Sequence, residues 1–241
     1  MMIKVTRLND DAFTFFNLNQ KKNLDRIFDE DFIIFDLIFC GIWIVLLFVS
    51  QQIIPFLFGL FGFIVNFIVD YCIWYKIFKT RSVVIPNPSV SKIVVFFLYF
   101  GFTYGMIEFS FAITMILNSF IDSWWWIILL NVGWILSGFL SRKLKIADEK
   151  IIVSRKMGNG RYYFTIAEYG ILLSFCFVNL FDLDFIKVVY LFFVGFITHF
   201  SFEMGLYVNK TRTTDLKTIL LNSIFEFNVG IPILYFLTII F

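Results

Sequence analysis

The sequence predicts an all-α polytopic membrane protein with seven transmembrane helices. Of its 241 residues, 60% are hydrophobic and only 16% are charged, and the mean hydropathy is +0.85. An ordinary soluble domain is about 45–50% apolar and about 25% charged, and a soluble fold of this size could not bury the excess. The chain also divides into apolar stretches of transmembrane length, and its cations are concentrated on alternate connecting segments.

The composition excludes several other classes of protein. The chain is too apolar for a soluble globular protein or a disordered one. A formal net charge of +2, without a basic stripe of stacking aromatic residues, argues against a nucleic-acid partner. The lipid bilayer is therefore the first predicted partner, and the oligomeric state is left open.

Seven stretches are long enough to cross a hydrocarbon core about 30 Å thick. They are residues 32–50, 53–76, 93–117, 122–140, 164–181, 185–208 and 218–241. Gln51, Gln52 and Pro55 interrupt the long apolar run of the first two, which predicts a tight helical hairpin. The predicted units are a cytoplasmic N-terminal segment (1–31), a first three-helix repeat (32–117), a linker helix with a basic loop (118–163) and a second three-helix repeat (164–241).

The distribution of positive charge predicts the orientation. Of the 20 Lys and Arg residues, all but Lys187 lie in or beside the segments 1–31, 77–92, 141–163 and 209–217. Because cytoplasmic loops carry the excess of cations, the N-terminus is predicted inside and the C-terminus outside. Short loops and the absence of a cleavable signal favour a prokaryotic plasma (inner) membrane.

An internal repeat is visible in spans two and six. They read GFIVNFIVDYCIWYKIFKTR from Gly62 and GFITHFSFEMGLYVNKTR from Gly195, and both close with Lys-Thr-Arg. The aligned polar pairs are Asn66 and His199, Asp70 and Glu203, Glu108 and Glu226, and, more loosely, Asp36 and Glu168. Because rare intramembrane acids recur in the same order, we predict a 3+1+3 bundle with two parallel repeats, as in some transporters.

Six carboxyl groups lie inside the predicted spans, and no Lys or Arg lies deep in a span to neutralise them. A charge at mid-membrane costs at least about 2.5–3.5 kcal/mol on insertion scales, so these groups are expected to face an internal cavity. The predicted substrate-binding residues are Asn66, Asp70, Glu108, His199, Glu203, Glu226 and Asn228. The predicted cavity mouth consists of Asp36, Glu168, Arg81 and Arg212. Helix-dipole contacts of the two acids, and simple membrane anchoring by the two arginines, remain alternatives.

His199 and Glu203 are four residues apart and therefore share a helix face. Such a pair could bind a metal, share a proton, or form a structural hydrogen bond. With one His in the chain, and three Cys without metal spacing, a structural zinc site is disfavoured. A divalent cation held by several carboxylates remains open, and no other cofactor is predicted.

Two further segments carry local predictions. The stretch IIVSRKMGNGRYYF has an Asn-Gly turn between β-prone runs, which indicates a small cytoplasmic hairpin. Trp124, Trp125 and Trp126 begin the linker helix and are predicted to form an interfacial belt.

These features favour two functions of different classes. The first is a transporter of a small solute or cation through the carboxylate-lined cavity, with proton coupling left open. The 3+1+3 arrangement resembles that of small sugar and vitamin carriers in topology. The second is an intramembrane enzyme acting on a lipid or isoprenoid, with Glu203, His199 and Glu226 as candidate acid–base residues. The His-x-x-x-Glu spacing resembles that of sterol isomerases of the emopamil-binding type, although the span count differs.

Overall fold

A computed structural model describes residues 23–118, 120–144, 149–156, 160–178, 180–212 and 215–240. In chain order these residues form β1 (Asn23–Asp29), α1 (Glu30–Val49), α2 (Ile53–Phe67), β2 (Arg81–Val84), α3 (Val90–Leu117), α4 (Phe120–Leu144), β3 (Lys150–Lys156), α5 (Gly160–Phe177), α6 (Phe185–Val208), α7 (Leu216–Phe225) and α8 (Ile231–Ile240). After Phe67, α2 continues as a π-helix over Ile68–Ile77, and a 3-10 turn covers Leu180–Asp182.

The prediction of a helical integral membrane protein is confirmed in its broad form. Among the described residues, five helices are long and apolar enough to cross a membrane: α1, α2 with its π-helical extension, α3, α4 and α6. Helix α5 is shorter and less apolar, and the last predicted span is divided between two helices of 10 residues each.

Helix α1 has one buried face and one exposed face. Phe32, Asp36, Phe39 and Trp43 follow one another at intervals of three or four residues, and all four are buried. Residues between them, such as Ile38, are apolar and exposed. A helix that is apolar all round while burying one stripe is suited to lipid on its outer side.

Helices α1 and α4 are held together by aromatic packing. The indole of Trp43 lies edge-on to that of Trp126, with 5.0 Å between ring centroids, and Phe39 packs over Gly133. The prediction of a shared interfacial belt is therefore wrong for Trp126, which is 2% exposed. Trp124 is exposed, as that prediction requires.

Helices α2 and α3 cross at two glycines. A Cβ placed on Gly62 would lie 2.5 Å from the carbonyl oxygen of Gly105, and one on Gly105 would meet the backbone of Gly62 at the same distance. Small residues let helix backbones approach closely in a membrane. This crossing fixes the part of α3 that carries Glu108.

The predicted break between the first two spans is confirmed. Helix α1 ends at Val49, Gln51 adopts a left-handed conformation with φ of 57°, and α2 begins at Ile53. Pro55 lies in the first turn of α2, where a missing N–H costs no intrahelical hydrogen bond.

The last predicted span, 218–241, is not one continuous helix. Helix α7 ends at Phe225 and α8 begins at Ile231, with turns between them. Side chains bind carbonyl groups beside the break: Thr165 donates to Phe225 O at 3.0 Å, and Asn228 Nδ2 donates to Ile224 O at 2.8 Å. Irregular backbone at membrane depth needs such internal partners.

A three-stranded antiparallel sheet, which the all-α prediction missed, covers one end of the bundle. Its strand order is β1–β3–β2, with Arg26 opposite Val153 and Arg81 opposite Arg155. The strands precede α1, join α2 to α3, and join α4 to α5, so all three lie at the same end. The segment after α6 also binds β1, through Ile27 N–H and Thr211 O at 2.8 Å.

The predicted cytoplasmic hairpin is wrong in its second strand. The first run does form β3, but it pairs with β1 and β2. The second run, from Arg161 to Phe164, belongs to the first turns of α5. The intervening residues 157–159, like residues 1–22 of the predicted N-terminal segment, lie outside the described residues.

Candidate functional site

Five arginines and three acids form a largely buried ionic cluster where the sheet meets the helices. We call this cluster the arginine–carboxylate centre; its members are Arg26, Arg81, Arg155, Arg161, Arg212, Asp70, Glu203 and Glu226. Three of the arginines come from the strands, one from the start of α5 and one from the segment after α6. The expectation that the intramembrane acids lack positive partners is therefore wrong for all three of these acids.

Asp70 lies in the π-helical part of span two. Its Oδ2 binds Nη1 of Arg81 at 2.6 Å, and both side chains are buried. The indole of Trp74, one turn further along, lies under the guanidinium of Arg155 with Cζ 3.6 Å from the ring centroid. Such stacking adds cation–π attraction in a desolvated setting. The π-helical segment thus presents both an acid and an aromatic face to the sheet.

Glu203 on α6 is fully buried and has two guanidinium partners. Its Oε1 accepts from Arg26 Nη2 at 2.8 Å, and its Oε2 lies 2.9 Å from Arg212 Nε. Arg26 also faces the ring of Phe202, 5.0 Å from the centroid. Because Arg26 and Arg212 approach from different segments, Glu203 ties β1 to the chain that leaves α6.

Glu226 lies immediately after α7, at the break in the last span. It forms ion pairs with Arg155 and with Arg161, the latter at 3.5 Å. Arg161 also donates to Asn222 Oδ1 on α7 at 2.6 Å. The broken span is therefore bound to both β3 and α5 through charged groups.

His199 lies between three glutamates. Its Nδ1 is 3.4 Å from Glu108 Oε1, and its Nε2 is 3.5 Å from oxygens of both Glu203 and Glu226. His199 is 5% exposed, so bulk water does not separate the imidazole from the glutamates. Its position links α3, α6 and the break in the last span. Four of the predicted substrate-binding residues are thus brought together.

Burial and neighbouring charges shift the pKa of three arginines that lie outside the helices. Burial lowers the pKa of Arg81 to about 10 against the opposing effect of Asp70, and Arg155 and Arg26 lower it further. Burial, followed by Arg26, lowers the pKa of Arg212 to about 10, while Glu203 opposes the shift. Burial also acts to lower the pKa of Arg26, but Glu203 and Glu226 outweigh it and hold that pKa above its ordinary value.

Some donors of the centre have no hydrogen-bond partner among the described residues. Nη2 of Arg212 and Nε of Arg81 are buried and without one, and so is Nδ2 of Asn222 beside the centre. Unpaired buried donors are costly in a low-dielectric site. With five guanidinium groups around Asp70, Glu203, Glu226 and the neighbouring Glu108, the surroundings suit an additional negative group.

The remaining predicted residues do not join the centre through any described contact. Asp36 is fully buried against α3, where it accepts from Tyr99. Glu168 is half-buried on α5, and Asn66 is half-buried on α2. Asn228 is buried and accepts a hydrogen bond from Tyr169 at 2.7 Å. The predicted cavity mouth is therefore divided: its two arginines belong to the centre, and its two acids do not.

The metal hypothesis for His199 and Glu203 gains no support from this geometry. In the described part of the chain, no group of three or more His, Cys, Asp or Glu side chains could hold a metal ion. Both oxygens of Glu203 face arginines, which repel a cation.

Sequence reasoning missed Arg26, Arg155 and Arg161. They stand in charged connecting segments, where cations ordinarily serve as cytoplasmic anchors. One signal was available in the sequence of β1, where Leu24, Arg26 and Phe28 stand at every second position. In the structure, Arg26 and Phe28 are both buried. Alternation of this kind is typical of a strand with one buried face.

The two predicted repeats make similar contacts. Asp70 pairs with Arg81 after span two, and the aligned Glu203 pairs with Arg212 after span six. Helices α1 and α5 also form comparable hydrogen bonds. Trp43 on α1 donates to Ser110 on α3 at 2.8 Å, and Tyr169 on α5 donates to Asn228. Ser110 and Asn228 are aligned because each lies two residues after the aligned acids Glu108 and Glu226.

Comparisons of the chain with protein-family models, with curated proteins and with solved structures give no match.

Proposed function

We propose that this chain is a membrane transporter for a small solute that carries an acidic group. The observation that carries the proposal is the arginine–carboxylate centre, in which guanidinium groups from the sheet, from α5 and from the segment after α6 meet acids from three different spans. This surplus of buried guanidinium groups favours an anionic solute over the cation expected from the sequence. Arg, with its planar fork of donors, is suited to carboxylate and phosphate groups.

The proposed topology has seven crossings in a 3+1+3 arrangement, with the sheet in the cytoplasm of a prokaryotic plasma membrane. Helix α5 supplies the fifth crossing, and α7 with α8 supplies the seventh. The similar contacts of spans two and six, and the positive charge of the sheet, support this topology. A tag at the C-terminus is then expected to be accessible from outside intact cells, and one at the N-terminus only after permeabilisation.

In the proposed mechanism, the centre closes the cytoplasmic end when no solute is bound. The arginines are then ion-paired with Glu203, Glu226 and Asp70. An arriving acidic group replaces one carboxylate as the partner of Arg212 or Arg81, and the released carboxylate can accept a proton from water or from His199. These ion pairs also connect the two three-helix units to the sheet. When they are loosened, the two units can move apart.

Reconstitution in liposomes tests the transport activity. Currents on a solid-supported membrane would be recorded for a panel of organic acids, phosphate, amines and neutral sugars. We expect currents for anions, a loss of about tenfold or more in Arg212→Gln, and no loss in Lys217→Gln, whose side chain is exposed. Currents for amines alone would contradict the anionic assignment, and no current for any compound would contradict transport.

The intramembrane enzyme remains a second candidate because His199 contacts three glutamates. Such a group could pass a proton to an alkene of a lipid or isoprenoid and receive one back. This candidate predicts a changed lipid profile when the gene is deleted and when it is overexpressed. Glu203→Gln would abolish that change, and identical profiles in all strains would contradict the enzyme.

A further inference from the structure

Asp36 differs from the acids of the arginine–carboxylate centre in its surroundings. Its side chain has 0% exposure and lies six residues after the start of α1, which corresponds to about 9 Å along the helix axis. Glu30 and Asp31 already occupy the first turn, where an acid can interact with the helix dipole. Neither contact with water nor helix capping therefore accounts for Asp36.

The groups that face Asp36 are uncharged donors. Tyr99 on α3 donates to Oδ2 at 2.8 Å, and the hydroxyl of Tyr104 is 3.5 Å from that of Tyr99. The indole of Trp134 on α4 and the thiol of Cys40, one turn further along α1, complete the surroundings. Within the described residues, Asp36 forms no ion pair with Lys, Arg or His, and its Oδ1 has no hydrogen-bond partner.

We propose that Asp36 is a proton-binding site, separate from the arginine–carboxylate centre and connected towards it by Tyr99 and Tyr104. An ionised carboxylate in this apolar site would need a cation that the site does not supply. The neutral acid keeps the hydrogen bond from Tyr99 and gains an O–H donor on the oxygen that now lacks a partner.

The two tyrosines supply a path for that proton. The ring of Tyr104 packs against Phe202 with 4.3 Å between centroids, and Phe202 also faces Arg26. Each hydroxyl can accept a proton on one side and release its own on the other, so that neither tyrosine gains or loses charge overall. The chain of hydroxyl groups runs from Asp36 on α1 to Tyr99 and as far as Tyr104 on α3, whose ring contacts the helix that carries Glu203.

The role of this proton in transport rests on the proposed function, whereas its binding at Asp36 does not. If the chain is a transporter, Asp36 supplies the coupling ion. Asp36→Asn is then expected to lose about tenfold or more of uptake driven by a pH gradient, while solute exchange without a gradient continues.

Infrared spectroscopy of the purified protein tests the proton site directly. Aspartate would be labelled with ¹³C, and the carbonyl stretch of neutral carboxyl groups compared between labelled and unlabelled protein at neutral pH. We expect an isotope-sensitive band in the wild type that disappears in Asp36→Asn. The band is expected to persist in Asp184→Asn, a matched change at an exposed aspartate.

A second variant keeps the test decisive if Asp36→Asn fails to fold. Tyr99→Phe removes the hydrogen bond to Oδ2 but leaves the carboxyl group, so the band should remain and shift. An unchanged band in a folded Asp36→Asn, or an unshifted band in Tyr99→Phe, would overturn the proposal. A band that behaves as expected in a protein without solute flux would support the proton site and contradict transport.

Discussion

Two buried regions of this bundle accommodate acids in opposite ways. In the arginine–carboxylate centre, Glu203 has two guanidinium partners and Asp70 has one. Around Asp36, uncharged hydroxyl and indole groups take their place. Asp36, Asp70 and Glu203 are all buried. The difference shows that burial alone does not define the role of an intramembrane acid; the charge of its partners does.

That difference has an energetic consequence. Removing one partner of a buried ion pair leaves an uncompensated charge and costs about 3–5 kcal/mol. Replacing a buried carboxyl group that has no cationic partner leaves no such charge behind. Neutral variants of the two regions are therefore expected to differ strongly in stability, although each changes one functional group.

The largest effect is expected for Glu203→Gln. The amide cannot balance Arg26 and Arg212, so the free energy of unfolding should fall by about 3–5 kcal/mol. Denaturant titration in detergent, followed by tryptophan fluorescence, measures the change. Glu149→Gln, at an exposed side chain, is the matched control and should stay within about 0.5 kcal/mol. Equal stabilities of the two variants would remove the distinction between the regions.

A double-mutant cycle on Asp70 and Arg81 sharpens the comparison. Asp70→Asn alone should cost about 3 kcal/mol because Arg81 then lacks its partner. Adding Arg81→Gln removes the unpaired charge, so the double variant should be more stable than the sum of the single changes predicts by about 1–3 kcal/mol. Strictly additive losses would show that the pair contributes nothing as a pair.

Packing can be separated from charge at the crossing of α2 and α3. Gly62→Ala places a methyl group against the backbone of Gly105 and leaves every ion pair intact, so a loss of about 2 kcal/mol is expected. Gly41→Ala is the control, because a Cβ there would have no atom within 4 Å apart from its chain neighbours and the backbone of its own helix. Thermal unfolding in detergent should show a lowered midpoint for the first variant only. Similar midpoints would mean that α3 can shift without cost.

The smallest effect is expected beside Asp36. Tyr99→Phe removes the hydrogen bond to Asp36 and the longer one to Tyr104 but no charge, so the free energy of unfolding should fall by about 1 kcal/mol. Tyr163→Phe, at an exposed side chain, should leave the stability unchanged. A loss as large as that of Glu203→Gln would indicate an ionised Asp36 and contradict the contrast between the two regions.

The sequence predicted the acids and their alignment better than their partners. Hydropathy and charge segregation give the apolar spans, and the repeat pairs Asp70 with Glu203 because both precede Lys-Thr-Arg. Arg81 and Arg212 could be named for the same reason. Arg26 could not be named, because it lies 177 residues from Glu203 in the chain. Contacts at such separations depend on which strands pair. Local composition alone predicts that charged connecting segments are exposed to solvent.

The break in the last span was only partly visible. Asn228, Gly230 and Pro232 follow Glu226 closely, and Gly and Pro loosen a transmembrane helix. Their presence could not show that Thr165 and Arg161 on α5 bind the residues beside the break. The sheet was hidden for a related reason. Its strands are short, carry Lys and Arg, and acquire a buried face only when they cover the bundle.

The pairing of β1 with later segments affects the order in which the protein can be assembled. During synthesis, β1 leaves the ribosome before its partners in β3 and before the segment after α6. In the proposed topology, Arg26 remains in water while the first helices insert, and its charge then helps to orient them. Once residues up to Arg212 have been made, the same charge can leave water and neutralise Glu203. A cation that directs insertion by staying outside the membrane thus becomes, at the end of assembly, part of the buried protein interior.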